Sequence, residues 1–165
     1  MIFVTVGNWH KGYDRLVEAV DNLIEKGIIQ EEVLVQIGNG TYRPQKAEWF
    51  EYCSPEQCEE YVLKSRVVIS HAGMGTVSLA VRLGKPIIVV PRKKKLGEIY
   101  DDHQFCTARQ LAQENKALVA YDIQEIPERL QEADSFIPAK TETSSELVKA
   151  IEEYLEMLQS EKSKK

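Results

Sequence analysis

The sequence predicts an α/β protein in which helices cover both faces of a mostly parallel sheet of about six strands. Three observations carry this reading. Short β-branched runs alternate with helical patterns along the chain. The runs Val67-Val68-Ile69 and Ile87-Ile88-Val89-Val90 are apolar without interruption, as strands covered on both faces are. Between them lies Ser70-His71-Ala72-Gly73-Met74-Gly75-Thr76, which makes a strand–glycine turn–helix–strand unit.

The elements follow in order. Ile2–Val6 reads as a first strand. Tyr13 to Lys26 places Leu16, Val17, Val20, Leu23 and Ile24 on one helical face, and Gly27 supplies the stop. Val33–Ile37 is a second strand and Ala47–Tyr52 a third. Ser54-Pro55-Glu56-Gln57 opens a helix with a cap residue, a proline at the first position and a carboxylate in the first turn. Val67–Ser70 is a fourth strand, Val77 to Leu83 is helix-compatible, and Pro86–Val90 is a fifth strand. A helix runs from Asp101 to about Asn115, Ala117–Tyr121 is a sixth strand, and Asp122 to Ala133 holds a short helix. Thr143 to Gln159 reads as a final amphipathic helix with Leu147, Ile151, Tyr154, Leu155 and Leu158 on one face. The sum is a Rossmann-like three-layer α/β/α sandwich, with residues 1–160 as one domain and 161–165 as a polar tail.

Composition bounds the function. Hydrophobic residues make up 43% and charged residues 28%, an ordinary soluble balance, and a formal charge of −5 argues against general nucleic-acid binding. Cys53, Cys58 and Cys106 have no metal spacing with histidines and read as reduced thiols, so a cytoplasmic location is expected. Met1 leads straight into a strand, with no leader pattern, and no apolar run approaches transmembrane length.

In open parallel sheets, ligands bind beyond the carboxyl ends of the strands. The polar and glycine-rich stretches all follow strands: Gly7-Asn8-Trp9-His10, Gly38-Asn39-Gly40, Tyr52-Cys53-Ser54, the turn at 71–75 and the stretch 91–104. One composite site on one edge is the expectation. Gly73 and Gly75 let a backbone approach a ligand closely, and the helix that Thr76 opens offers free amides to a phosphate. A bound nucleotide or other diphosphate follows. His71 either touches that ligand or fixes the turn. Arg92, just past strand five, is placed to stabilise a diphosphate. Lys93, Lys94 and Lys95 read as a solvated run that also suits an anionic membrane surface. Asp101 suits ordinary helix-start chemistry, whereas Asp102, His103 and Gln104 offer directional hydrogen bonds to sugar hydroxyls. No residue set has the spacing of a metal site or a P-loop. Gly73-Met74-Gly75 followed by a basic run also half fits an NADP-dependent oxidoreductase, and a non-catalytic nucleotide-binding module fits the same glycines.

Phe3-Val4-Thr5-Val6-Gly7, Tyr13-Asp14-Arg15-Leu16, Gln36-Ile37-Gly38, Ser70-His71-Ala72-Gly73-Met74-Gly75 and Asp102-His103-Gln104 together resemble the soluble donor-binding subunit of two-part glycosyltransferases of family 28. That group includes the subunit acting on dolichol-diphosphate-GlcNAc and the PssE-like subunits of bacterial polysaccharide synthesis. Val89-Val90-Pro91-Arg92-Lys93 and Gly97-Glu98 bring the chain nearer the PssE-like branch, and the resemblance covers residues 1 to about 120.

The resemblance implies the carboxyl-terminal half of a GT-B enzyme that transfers a hexose from a UDP-sugar, with inversion and without a metal or other cofactor. A membrane-anchored partner subunit would supply the other half and the lipid-linked acceptor, holding this chain at the cytoplasmic membrane face. Gly73, Met74, Gly75 and Thr76 would hold the diphosphate, with Ala72 also in the donor site. The loop near Tyr52 and Ser54 would face the uracil, and Gly38 would belong to the same donor site. Asp102, His103 and Gln104 would face the sugar, and Gly7 and Asn8 would border the interdomain cleft. His10 and Glu98 are the candidate general bases on this chain. Two departures stand out: Asn8-Trp9-His10 where many relatives carry Thr after the first glycine, and Leu79 where a ribose-binding Glu often sits.

Overall fold

The computed structural model describes residues 1–140, so the helix expected at 143–159 and the tail at 161–165 lie outside the described residues. Six parallel strands form one sheet in the order β3-β2-β1-β4-β5-β6. They are β1 (Ile2–Thr5), β2 (Val33–Gln36), β3 (Glu48–Phe50), β4 (Val67–Ser70), β5 (Ile87–Val89) and β6 (Leu118–Val119). Five α-helices connect or follow them: α1 (Asp14–Glu25), α2 (Pro55–Lys64), α3 (Met74–Arg82), α4 (His103–Gln113) and α5 (Ile126–Glu132). Five of the strands are one to three residues shorter than expected, because the ladder ends where neighbours stop offering partners; β4 matches its expected run at both ends.

Strand alternation sorts the core into two layers. Val4, Val35, Ile69 and Ile88 face Leu16, Val17 and Val20 of α1 and Ile126 and Leu130 of α5. Phe3, Val68, Ile87 and Val89 face Val62 of α2, Val77, Ala80 and Val81 of α3, and Ala108 and Leu111 of α4. This is the expected α/β/α sandwich, and the sheet within it is wholly parallel. β1 pairs with β2 on one side and β4 on the other, so the strand order reverses there. Thr5 stands level with Gln36 and with Ser70, so the chain leaves β1, β2 and β4 at one common edge. Such a reversal opens a crevice at the carboxyl ends of the strands.

Two local devices shape that edge. Ser54 caps α2: its hydroxyl accepts the Gln57 N–H at 3.2 Å, and Gln57 Oε1 accepts the Ser54 N–H at 2.9 Å. Such a box stabilises a helix start by about 1 kcal/mol. Cys53 and Cys58 occupy the flanking positions where a hydrophobic staple forms, and their thiols meet across the cap. Burial pushes the Cys53 thiol up to about 11. By contrast α3 starts at Met74 after extended Gly73 with no side-chain cap, which leaves its first amides free.

Candidate functional site: a cleft where the strand order reverses

A cleft of about 410 Å³ opens at the reversal point. Thr5, Gly7 and Asn8 wall it from the end of β1 and Gln36 from the end of β2. Cys53, Ser54, Pro55, Cys58 and Glu59 contribute from the start of α2, and Gly75, Thr76, Leu79 and Arg82 from α3. Its volume suits a nucleotide-sized ligand. Gly75 and Thr76 are in the first turn of α3, so the uncapped helix start faces the space. A Cβ on Gly75 would meet nothing within 4 Å; the residue's smallness keeps the entrance open rather than relieving a clash.

The floor between β1 and β4 is a packed imidazole. His71 lies between Gly7 and Gly73: a Cβ on Gly7 would stand 2.6 Å from His71 Cε1, and one on Gly73 would overlap Nε2. Gly7 also has φ +69°, which disfavours any side chain. Ser70 Oγ lies 3.3 Å from His71 Nδ1 and donates to the Thr5 carbonyl at 2.9 Å. Burial, helped by the positive charge of Arg92, pushes His71 down to about 4, so the ring is neutral at physiological pH. Packed between Gly7 and Gly73, the His71 ring has the geometry of a support for the turn. Gly38, buried at φ +53°, backs the same loop, since a Cβ there would stand 2.7 Å from the Gly7 carbonyl oxygen. Ala72 is buried in the α3 layer and Met74 is exposed beside Val77 and Ser78, outside the cleft.

Several expectations are corrected by placement. Arg92 turns inward and is 1% exposed. Its Nη1 donates to the carbonyls of Gly12 at 2.7 Å, Lys11 at 3.2 Å and Glu98 at 3.4 Å, and its Nη2 to that of Val6 at 3.1 Å. The guanidinium carbon lies 4.5 Å from the centroid of the Tyr13 ring. It braces loops and does not reach the cleft. Glu98 is bound on both oxygens by Arg15, at 2.6 and 3.0 Å, and accepts the Lys93 N–H at 2.7 Å, so it is a mostly buried ion-pair partner outside the residues that line the cleft. Gln104 is 5% exposed and its Oε1 accepts the Arg92 N–H at 3.0 Å. His103 pairs with Asp101 on the surface. Asp102 borders a separate hollow with Lys93, Lys94, Lys95, Phe105 and Tyr121, so the sugar-facing trio is not gathered at the glycine turn. Tyr52 is exposed beyond the cleft, while its neighbours Cys53 and Ser54 line it.

The sequence reading missed Gln36, Cys58, Glu59 and Arg82. Gln36 donates to Asn8 Oδ1 at 3.2 Å and pairs with Thr5 through the hydroxyl, setting the polar end of β1. Glu59 pairs with Arg82 at 3.2 Å across the cleft mouth. The signal for Glu59 was its place one turn after Pro55, on a helix whose start was already assigned to the edge.

Residues 1–165 match the family model for the glycosyltransferase family 28 C-terminal domain. The chain belongs to this family. It is 33% identical over 122 residues to the UDP-N-acetylglucosamine transferase subunit ALG13 of Homo sapiens, with 68% of this chain covered. It is 31% identical over 121 residues to the Mus musculus protein of that name. The chain spans about a tenth of the length of these curated relatives, since 10% of each is covered. Among solved structures, the calicheamicin glycosyltransferase CalG4 superposes with a TM-score of 0.58 at 18% identity, covering 82% of this chain and 34% of that one. MurG of Acinetobacter baumannii superposes with a TM-score of 0.53 at 16% identity, covering 91% and 49%. At such identities the likeness is one of fold, and it agrees with a Rossmann-like half of the GT-B type.

Proposed function

We propose that this chain is the donor-binding subunit of a two-part glycosyltransferase, moving GlcNAc, Gal or Glc from a UDP-sugar to a lipid-diphosphate-linked glycan. The observation that carries the proposal is the cleft at the β1–β4 reversal, with the uncapped start of α3 facing into it. The diphosphate rests on the amides of Gly75 and Thr76, where partial positive charge meets the charge that grows as UDP departs. Ser54 and the α2 start flank the nucleoside. Glu59 takes the ribose hydroxyls, in the absence of a carboxylate at Leu79. Inversion then needs one base to take the acceptor hydroxyl proton. His10, exposed just outside the cleft, is the candidate left on this chain, and the partner supplies the base otherwise. No metal or other cofactor enters this scheme.

The relatives named as transferase subunits support a second chain in the assembly; in this proposal that chain is membrane-anchored, closes the cleft, brings the lipid-linked acceptor and holds this subunit at the cytoplasmic face. Among the described residues no helix is long and apolar enough to cross a membrane. Placement weakens the NADP alternative: Arg92 is consumed by carbonyls, Lys93 pairs with Asp122, and Lys94 and Lys95 border a different hollow from the glycine turn.

Calorimetry with UDP, UDP-GlcNAc, UDP-Gal, UDP-Glc and NADP tests the reading. UDP and one UDP-sugar bind and NADP does not; binding of NADP alone overturns it. The isolated chain turns over poorly, because one domain makes one wall of a cleft, and addition of the partner raises transfer.

A further inference from the structure

Immediately outside the donor cleft the edge carries an aromatic cluster that the donor site does not use. Asn8 lines the cleft, and the next residues, Trp9 and His10, meet Tyr100 from the loop after β5. Ring centroids lie 4.7 Å apart for Trp9 and His10, 5.7 Å for His10 and Tyr100, and 5.9 Å for Trp9 and Tyr100, the last pair edge-on at 70°. His10 Nε2 is 2.9 Å from the Tyr100 hydroxyl, and Lys11 Nζ sits 4.6 Å from the centroid of the Tyr100 ring. Despite these mutual contacts Trp9 is 39% and Tyr100 61% exposed.

The cluster is held from below. Arg92 bonds the carbonyls of Lys11 and Gly12 in one loop and of Glu98 in the other. Lys11 donates to the Gly97 carbonyl at 3.0 Å, and Asn39 to the Trp9 carbonyl at 3.1 Å. Two loops from different strands are thus fixed as one surface, and aromatic side chains with two rotatable bonds lose little further freedom on binding. Large rings left in water on a fixed surface, interleaved with a histidine and a lysine, match one ligand chemistry well. A pyranose offers an apolar face of C–H groups to an aromatic ring and a rim of hydroxyls to polar neighbours.

We infer that Trp9 and Tyr100 form a stacking site for a sugar ring of the acceptor glycan, with His10 and Lys11 at its hydroxyl rim. The inference rests on the glycosyltransferase reading and adds to it an acceptor contact made by the donor-binding chain.

Fluorine NMR of the full chain labelled with 5-fluorotryptophan tests this, since Trp9 and Trp49 are its two tryptophans. With UDP present, cellobiose, lactose and chitobiose are titrated in turn, and UDP affinity is measured on the same samples. At least one disaccharide shifts the Trp9 signal saturably in the millimolar range and leaves Trp49 unmoved. Tyr100→Ala weakens that disaccharide about fivefold without changing UDP affinity. A Trp9 signal unmoved by all three sugars while UDP binds overturns the inference and spares the function. A signal that only the partner subunit moves also overturns it, and makes the cluster a docking surface. Failure of UDP to bind tells against the function itself.

Discussion

Gly7 and His71 fit together with no room for a methyl group between them: a Cβ on the glycine would stand 2.6 Å from the ring carbon Cε1. The residues lie in the loops that follow neighbouring parallel strands, and their contact closes the floor of the cleft. Gly7→Ala therefore suffers both the clash and the cost of a side chain at φ +69°. Equilibrium denaturation should show a loss of about 1–3 kcal/mol, and calorimetry a matching loss of UDP affinity. Gly75→Ala, where a Cβ meets nothing within 4 Å of the protein, should keep its stability and lose UDP affinity alone.

His71 makes stability depend on pH in a defined window. Its ring is held at about 4 in the native state against 6.5 in an unfolded chain. Above pH 6.5 the ring is neutral in both states. As pH falls from 6.5 the unfolded chain takes up the proton and the native one does not until about pH 4, so stability declines through that window and then levels. The full excursion is about 3 kcal/mol. Urea midpoints measured between pH 7 and pH 4 check this, and His71→Asn should flatten the same limb whatever its own stability.

Glu98 and Arg15 give a test that separates architecture from chemistry. Their pair is mostly buried, with side-chain exposures of 11% and 17%. Glu98→Gln leaves a buried guanidinium without its counter-charge and should cost about 3 kcal/mol, seen as a lower thermal midpoint. Transfer measured with the partner at a temperature where the variant is folded should stay near wild type. A collapse of kcat with unchanged stability would restore Glu98 as a base.

Glu59 predicts sugar discrimination within the nucleotide. If its carboxylate holds ribose hydroxyls, wild type prefers UDP to 2′-deoxy-UDP. Glu59→Gln should weaken UDP about tenfold, the scale of one charge-assisted hydrogen bond, and leave the deoxy ligand nearly unchanged. Calorimetry with both ligands reads the difference.

The scaffold was legible because its signals are local. The β4 run, the Ser54 cap with Pro55, and the rule that glycine-rich loops follow strands sufficed to put Gly7, Asn8, Ser54, Gly75 and Thr76 on one edge. The placement of Arg92 was not read, although strand parity held it. Ile88 and Val90 face α1, and two residues further on Arg92 continues on that side, beneath Tyr13, and is not among the residues that line the cleft. Gln104 and Glu98 escaped for a different reason. Their partners, Arg92 twelve residues away and Arg15 eighty-three, are set by the packing of whole elements, and no local pattern encodes a contact at that separation.

Arg92 ties the chain leaving β1 and the chain leaving β5 to a single cation through Val6, Lys11, Gly12 and Glu98. Neither lip can swing without breaking hydrogen bonds in both. In the proposed two-part transferase this half would accordingly serve as an anvil, with the travel of closure and UDP release left to the other subunit.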